Sequence, residues 1–180
     1  MSGADFLQSM AQASQERVLA ARAKLSENGL LKQAQATAPP PPLVRSTAGF
    51  DLIAELKLRS PAAGQLRSAE QEDAGKRALS YAEAGAAAVS VLTEPTRFDG
   101  SLAHLSAASA ALRAMRVPAM RKDFLVDPYQ VVEARAHGAG GVLIILRMLS
   151  RTQLDELCSA AKACFAARAG SATGEGWPSS

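Results

Sequence analysis

The chain has 180 residues, 48% hydrophobic and 21% charged, which is the profile of a folded soluble domain and excludes wholesale disorder. Lys+Arg 20 against Asp+Glu 17 leaves a net charge of +3, too balanced to mark a nucleic-acid partner. The longest strongly apolar run, Gly141 to Leu146, falls far short of the roughly 20 residues that span a bilayer, so no membrane partner is expected.

Residues 5 to 28 are expected to form one amphipathic helix. Phe6, Leu7, Met10, Val18, Leu19 and Leu25 recur near the helical period, and Asn28-Gly29 reads as the stop. This start carries Asp5 and Gln8 and lacks the basic, then apolar, order of a secretory signal. Ala34 to Thr47 reads as a connector, because the run Pro39 to Pro42 favours extended geometry and cannot join a sheet interior.

From Phe50 onward the pattern alternates. Strands are expected at Asp51–Leu56, Ala87–Leu92, Val117–Met120 and Gly141–Leu146. Helices are expected at Ala69–Ala84, Ser101–Met115, Pro128–His137 and Arg151–Ala167. Two helix ends, at Gly85 and Gly138, run directly into a strand, so the repeating unit is a βα module and the sheet is parallel. With aromatics at only 4%, the core must be built from Ala, Leu, Val and Ile. Cys158 and Cys164 lie six apart on different helix faces and read as reduced thiols of a cytoplasmic protein, without a metal pair or disulfide. After residue 165 the chain is Gly/Ser-rich and is expected to be disordered. The expected organisation is therefore a helical extension with connector (1–49), a βα domain (50–165) and a tail (166–180).

Parallel α/β sheets place their chemistry at the C-terminal ends of the strands. Glu55 and Lys57 alternate on the first strand and so share a face. They read either as a structural ion pair or as a pair that acts on a ligand. Ser60 to Gly64 follows as a turn able to offer backbone N–H groups to an anion. Arg121-Lys122-Asp123 follows the third strand and reads either as a solvated loop or as part of a site. Phe98 and Phe124 read either as core residues or as ligand walls. His104, His137, Tyr81 and Tyr129 lie in helical patterns and read as surface, capping or packing residues. No dinucleotide fingerprint, P-loop or metal-ligand spacing occurs.

Taken together, Ile53-Ala-Glu-Leu-Lys57 with Ser60-Pro61, Tyr81 through Glu94, Phe98-Asp-Gly-Ser101, Val117 through Phe124, and Asp127-Pro-Tyr-Gln130 resemble the indole-3-glycerol phosphate synthase family. The resemblance implies a (β/α)8 TIM barrel with a helical extension. It also implies a carboxy-lyase of tryptophan biosynthesis, which closes an indole ring on a carboxyphenylamino-deoxyribulose phosphate with loss of carbon dioxide and water. By resemblance, Lys122 is the general acid at the substrate carbonyl, Lys57 holds the substrate carboxylate, and Glu55 transfers a proton during dehydration. Ser60 lies by the substrate phosphate, and Phe98 and Phe124 wall the anthranilate ring. No cofactor or metal is implied.

A barrel of this type takes roughly 250 residues, whereas only about 130 follow the extension here. The expectation is therefore a barrel truncated to about four βα units, with little or no turnover by this chain alone. Two copies could complete the barrel as a homodimer. The alternative is a non-catalytic half-barrel interaction module or remnant.

Overall fold

Two helices form where one was expected. In the computed structural model, which describes residues 3–47, 49–60, 62, 64–66 and 73–166, α1 spans Gly3–Lys24 and α2 spans Glu27–Ala36. The chain turns at Ser26, whose hydroxyl accepts a hydrogen bond from the Gly29 N–H. A serine in that position starts a helix, so Asn28-Gly29 lies in the first turn of α2 and stops nothing. The connector accordingly begins later than expected. Its proline run passes the N-terminal ends of two strands, where a Cβ on Gly140 would stand 2.9 Å from Pro118 and 3.3 Å from the Pro41 carbonyl. Arg113 and Arg135 pin it by donating to the carbonyls of Pro39 and Thr37 at 3.2 and 2.8 Å.

The rest of the chain runs β1 (Ile53–Leu56), β2 (Arg59–Ser60), β3 (Gly64–Gln65), α3 (Ala74–Glu83), β4 (Ala88–Leu92) and α4 (Pro95–Phe98). It continues through α5 (Leu102–Leu112), β5 (Ala119–Lys122), α6 (Pro128–Ala136), β6 (Gly141–Val142), a 3-10 turn at Leu146–Met148 and α7 (Arg151–Phe165). Strands β1, β4, β5 and β6 form one parallel sheet in that order, and β2 and β3 form a small antiparallel hairpin. The helix expected from Ala69 begins at Ala74; residues 69–72 lie outside the described ones, as do Pro61 and the tail from 167 to 180. Asp73 caps α3 through the Lys76 N–H. The third strand is shifted two residues forward from the expected Val117–Met120, so Arg121 and Lys122 belong to β5 itself and not to a loop after it. The fourth strand is far shorter than expected, two residues in place of six. Among the described residues it pairs with β5 alone.

One face of the sheet meets the helices. Leu56, Val89, Val91 and Ala119 pack on Ala78, Leu105, Ala108 and Leu112, a core of small aliphatics. Gly85 (φ +94°) and Gly138 (φ +84°) terminate α3 and α6 in the left-handed region. The N–H groups of Ala86 and Ala139 reach back to the carbonyls of Tyr81 and Ala134, and the chain turns straight into β4 and β6. The opposite face carries Ile53 and Glu55, Ser90 and Leu92, Met120 and Lys122 in register across β1, β4 and β5. That face is only partly covered: Ile53 is 52% exposed, and beside it at the free edge of β1 Phe50 is 84% exposed. No helix among the described residues is long and apolar enough to cross a membrane.

Candidate active site

Three charged side chains meet on the open face. Glu55, from β1, accepts from the Lys57 ammonium at 2.8 Å through one carboxylate oxygen and from the Lys122 ammonium through the other. Lys122 ends β5, two strands away, so the contact bridges over β4. Strand alternation explains the convergence, since Glu55 and Lys57 are two apart and Lys122 falls on the same face of the neighbouring register. All three are about one third exposed. Burial opposes ionisation of Glu55, but the hydrogen bonds and charges of Lys122 and Lys57 outweigh it, and the carboxyl is held below its ordinary value of 4.5. The cluster is thus two ammonium groups around one carboxylate, a net positive surface at the C-terminal mouth of the sheet.

An aromatic group begins two residues beyond Lys122, at Phe124. Phe98 and Phe124 lie with ring centroids 6.2 Å apart, and Phe6 of α1 meets Phe124 edge-on at 5.9 Å. Phe98 closes the short helix α4, which the sequence pattern did not suggest. Asp99 (φ +53°) and Gly100 then return the chain so tightly that a Cβ on Gly100 would sit 2.4 Å from the Leu92 carbonyl. Ser60 lies on the hairpin that follows β1, pairing with Gly64. The adjacent Arg59 reaches Asp99 at 3.4 Å.

The solvated-loop reading of Arg121-Lys122-Asp123 is wrong for two of the three residues. Arg121 and Asp123 point away from Lys122 and are buried. Asp123 accepts from Thr93 at 2.7 Å, from Arg121 at 3.1 Å, from Arg17 of α1 at 2.7 Å and from the Phe124 N–H at 2.8 Å. Arg121 also reaches Glu133 at 2.8 Å and the Gln130 carbonyl at 2.9 Å. Arg17 further donates to Glu94 at 3.2 Å. Ser14 donates to the Phe124 carbonyl and accepts from Gln130 at 2.9 Å. These ties hold α1 across the strand ends. A signal was present in the sequence: Ser14 sits in the helical stripe Met10, Ser14, Val18, and a polar residue in a buried stripe needs a partner.

Other titratable groups have structural settings. His137 closes α6 and shares a 2.7 Å hydrogen bond with Ser106. Tyr129 packs on Val18 and Leu30 and donates to the Leu25 carbonyl. Burial pushes the Cys164 thiol up to about 11, where it is no nucleophile at neutral pH. Among the described residues, no group of three or more His, Cys, Asp or Glu stands close enough to hold a metal ion.

Asp123 predicts an acid transition. Burial works against its ionisation, yet Arg121, Arg17, Thr93 and the Phe124 N–H hold it below its ordinary 3.8. Asp123 and Glu55 therefore bind a proton less readily folded than unfolded. The stability they contribute is complete above the unfolded values and is lost as pH falls through the folded ones. The urea midpoint is expected to drop on going from about pH 5 to about pH 3, and less steeply in Asp123→Asn. Equal slopes in both proteins would refute the assignment.

Comparison with known proteins bears on the family of the chain. The family model described as Indole-3-glycerol phosphate synthase matches residues 7–164. A protein named indole-3-glycerol phosphate synthase from Saccharopolyspora erythraea is 48% identical over 130 residues, 71% of this chain and 46% of the relative. The one from Mycolicibacterium smegmatis is 41% identical over 160 residues, 87% of this chain and 57% of the relative. A multifunctional tryptophan biosynthesis protein of Schizosaccharomyces pombe is 48% identical over 108 residues, 59% of this chain and 14% of that protein. The chain spans about half the length of the synthase relatives it matches. The match takes in α1 from residue 7, every strand of the parallel sheet and nearly all of α7, and on that breadth the chain belongs to the indole-3-glycerol phosphate synthase family.

Proposed function

We propose that this chain is the first half of a (β/α)8 barrel whose mouth carries out indole-ring closure on carboxyphenylamino-deoxyribulose phosphate, with loss of carbon dioxide and water. The observation that carries this reading is the Lys57–Glu55–Lys122 cluster, two ammonium groups held by one ionised carboxylate, with Phe124 of the Phe98–Phe124 ring pair two residues beyond Lys122. Lys122 gives its proton to the substrate carbonyl oxygen as the ring carbon attacks. Lys57 pairs with the substrate carboxylate until it leaves as carbon dioxide. Glu55, ionised in the resting site, accepts a proton in the step that ends with water leaving. Phe98 and Phe124 stack on the anthranilate ring, and Ser60 on the hairpin after β1 meets the phosphate side. Each role needs the charge state or the flat apolar face found there.

Among the described residues, four strands leave two open edges, at β1 and β6. In this reading a second copy closes them, β6 of each chain pairing with β1 of the other about a two-fold axis, since eight strands make a barrel that side chains can fill. The exposed Phe50, Leu52 and Ile53 at the β1 edge support an interface there. The compartment is the cytoplasm, where two free cysteines stay reduced. Sedimentation over a wide concentration range, run beside an assay of indole-ring formation, tests both parts. The expected result is a monomer–dimer equilibrium with turnover only where dimer is populated. A strict monomer with full turnover overturns the dimer, and a stable dimer with none favours a non-catalytic half-barrel.

A further inference from the structure

We infer that Arg17, on the N-terminal helix, is a positioning residue that fixes the spacing of the aromatic walls. The inference rests on the reading of the mouth as a site for an aromatic carboxylate. Arg17 is the only described side chain that bonds both Glu94 and Asp123, at 3.2 and 2.7 Å. Each of those carboxylates is essentially fully buried and bonds backbone N–H groups, Asp123 that of Phe124 and Glu94 those of the short helix that holds Phe98. Glu94 caps α4, accepting from the N–H groups of Thr96 and Arg97 at 2.9 and 2.7 Å, and α4 ends at Phe98. Asp123 accepts from the N–H of Phe124 at 2.8 Å.

The planar guanidinium therefore sets the distance between two loops that leave different strands, β4 and β5. Its own helix carries Phe6, the third ring of the group. A forked donor spans two acceptors at a fixed separation, which a single ammonium does not. Arg17 stays clear of the reacting cluster: its bonds run to Glu94, Asp123 and Ser14, and none to Glu55, Lys57 or Lys122. It acts on the ring pocket through the loops.

The test is equilibrium binding to the full chain of two probes. Anthranilate, followed by its own fluorescence, needs the rings. Inorganic phosphate, followed by calorimetry, needs only the cations. Arg17→Met is expected to weaken anthranilate by about fivefold or more, because small displacements of a positioned group are costly, while phosphate stays within about twofold. Arg17→Lys is expected to fall between, at about two- to threefold for anthranilate. Circular dichroism melting checks that each variant is folded, and should Arg17→Met not fold, the Arg17→Lys ratio decides alone. Unchanged anthranilate binding, or parallel loss of both probes, overturns the inference. A wild-type chain that binds neither probe, or that binds anthranilate with no loss in Lys57→Met, overturns the reading of the site itself.

Discussion

Asp123→Ala is expected to cost about 3–5 kcal/mol of folding stability, the range for breaking a buried ion pair from one side. The side chain is 1% exposed and takes four hydrogen bonds, two of them from guanidinium groups. Its removal takes the acceptor from the Thr93 hydroxyl and from the Phe124 N–H and strips Arg121, itself buried, of one of two carboxylate partners. Because Glu133 still holds Arg121 at 2.8 Å and Glu94 still holds Arg17 at 3.2 Å, the loss belongs at the lower end of that range. Asp123→Asn keeps one acceptor oxygen and the volume, and is expected to lose less. Urea unfolding followed by circular dichroism gives the answer. A change under about 0.5 kcal/mol, typical of an unremarkable surface site, would mean that the network adds nothing to stability.

At the proposed site, Lys122→Met is expected to act on turnover and to spare the fold. Lys122 is one third exposed, and without it Glu55 keeps its 2.8 Å partner Lys57, so no buried charge is orphaned. If a second copy closes the barrel as proposed, ring-closing turnover is expected to fall by about 10²–10⁴-fold, the contribution of one well-placed proton donor. The measurement is the rate of indole-product formation at concentrations where dimer is populated, with a melting curve alongside. Turnover that ignores this substitution removes Lys122 from the acid's role, even if Lys57→Met and Glu55→Gln remain damaging.

Much of this was legible in the residues. The βα alternation, the glycine stops at Gly85 and Gly138 and the convergence of Glu55 with Lys57 follow from two periods, 2.0 and 3.6, and from the left-handed freedom of glycine. Three things were not legible. The break at Ser26 competed with an equally good stop at Asn28-Gly29, and the serine hydroxyl won by capping. The early end of β6 carried no local signal, because the apolar run continues from Val142 through Leu146. The sorting of Arg121 and Asp123 from Lys122 turned on where β5 ends. A two-residue shift took the first two residues of that charged triplet out of a loop and into a strand, where neighbours face opposite ways.

The anchoring of α1 has a consequence for the order of events in biosynthesis. Ser14 and Arg17 leave the ribosome early, while Phe124 and Asp123, their counterparts, follow more than a hundred residues later. Such contacts carry a high loop-closure entropy and raise the contact order of the chain. The nascent helix must therefore wait for β5 before Ser14 and Arg17 find these partners.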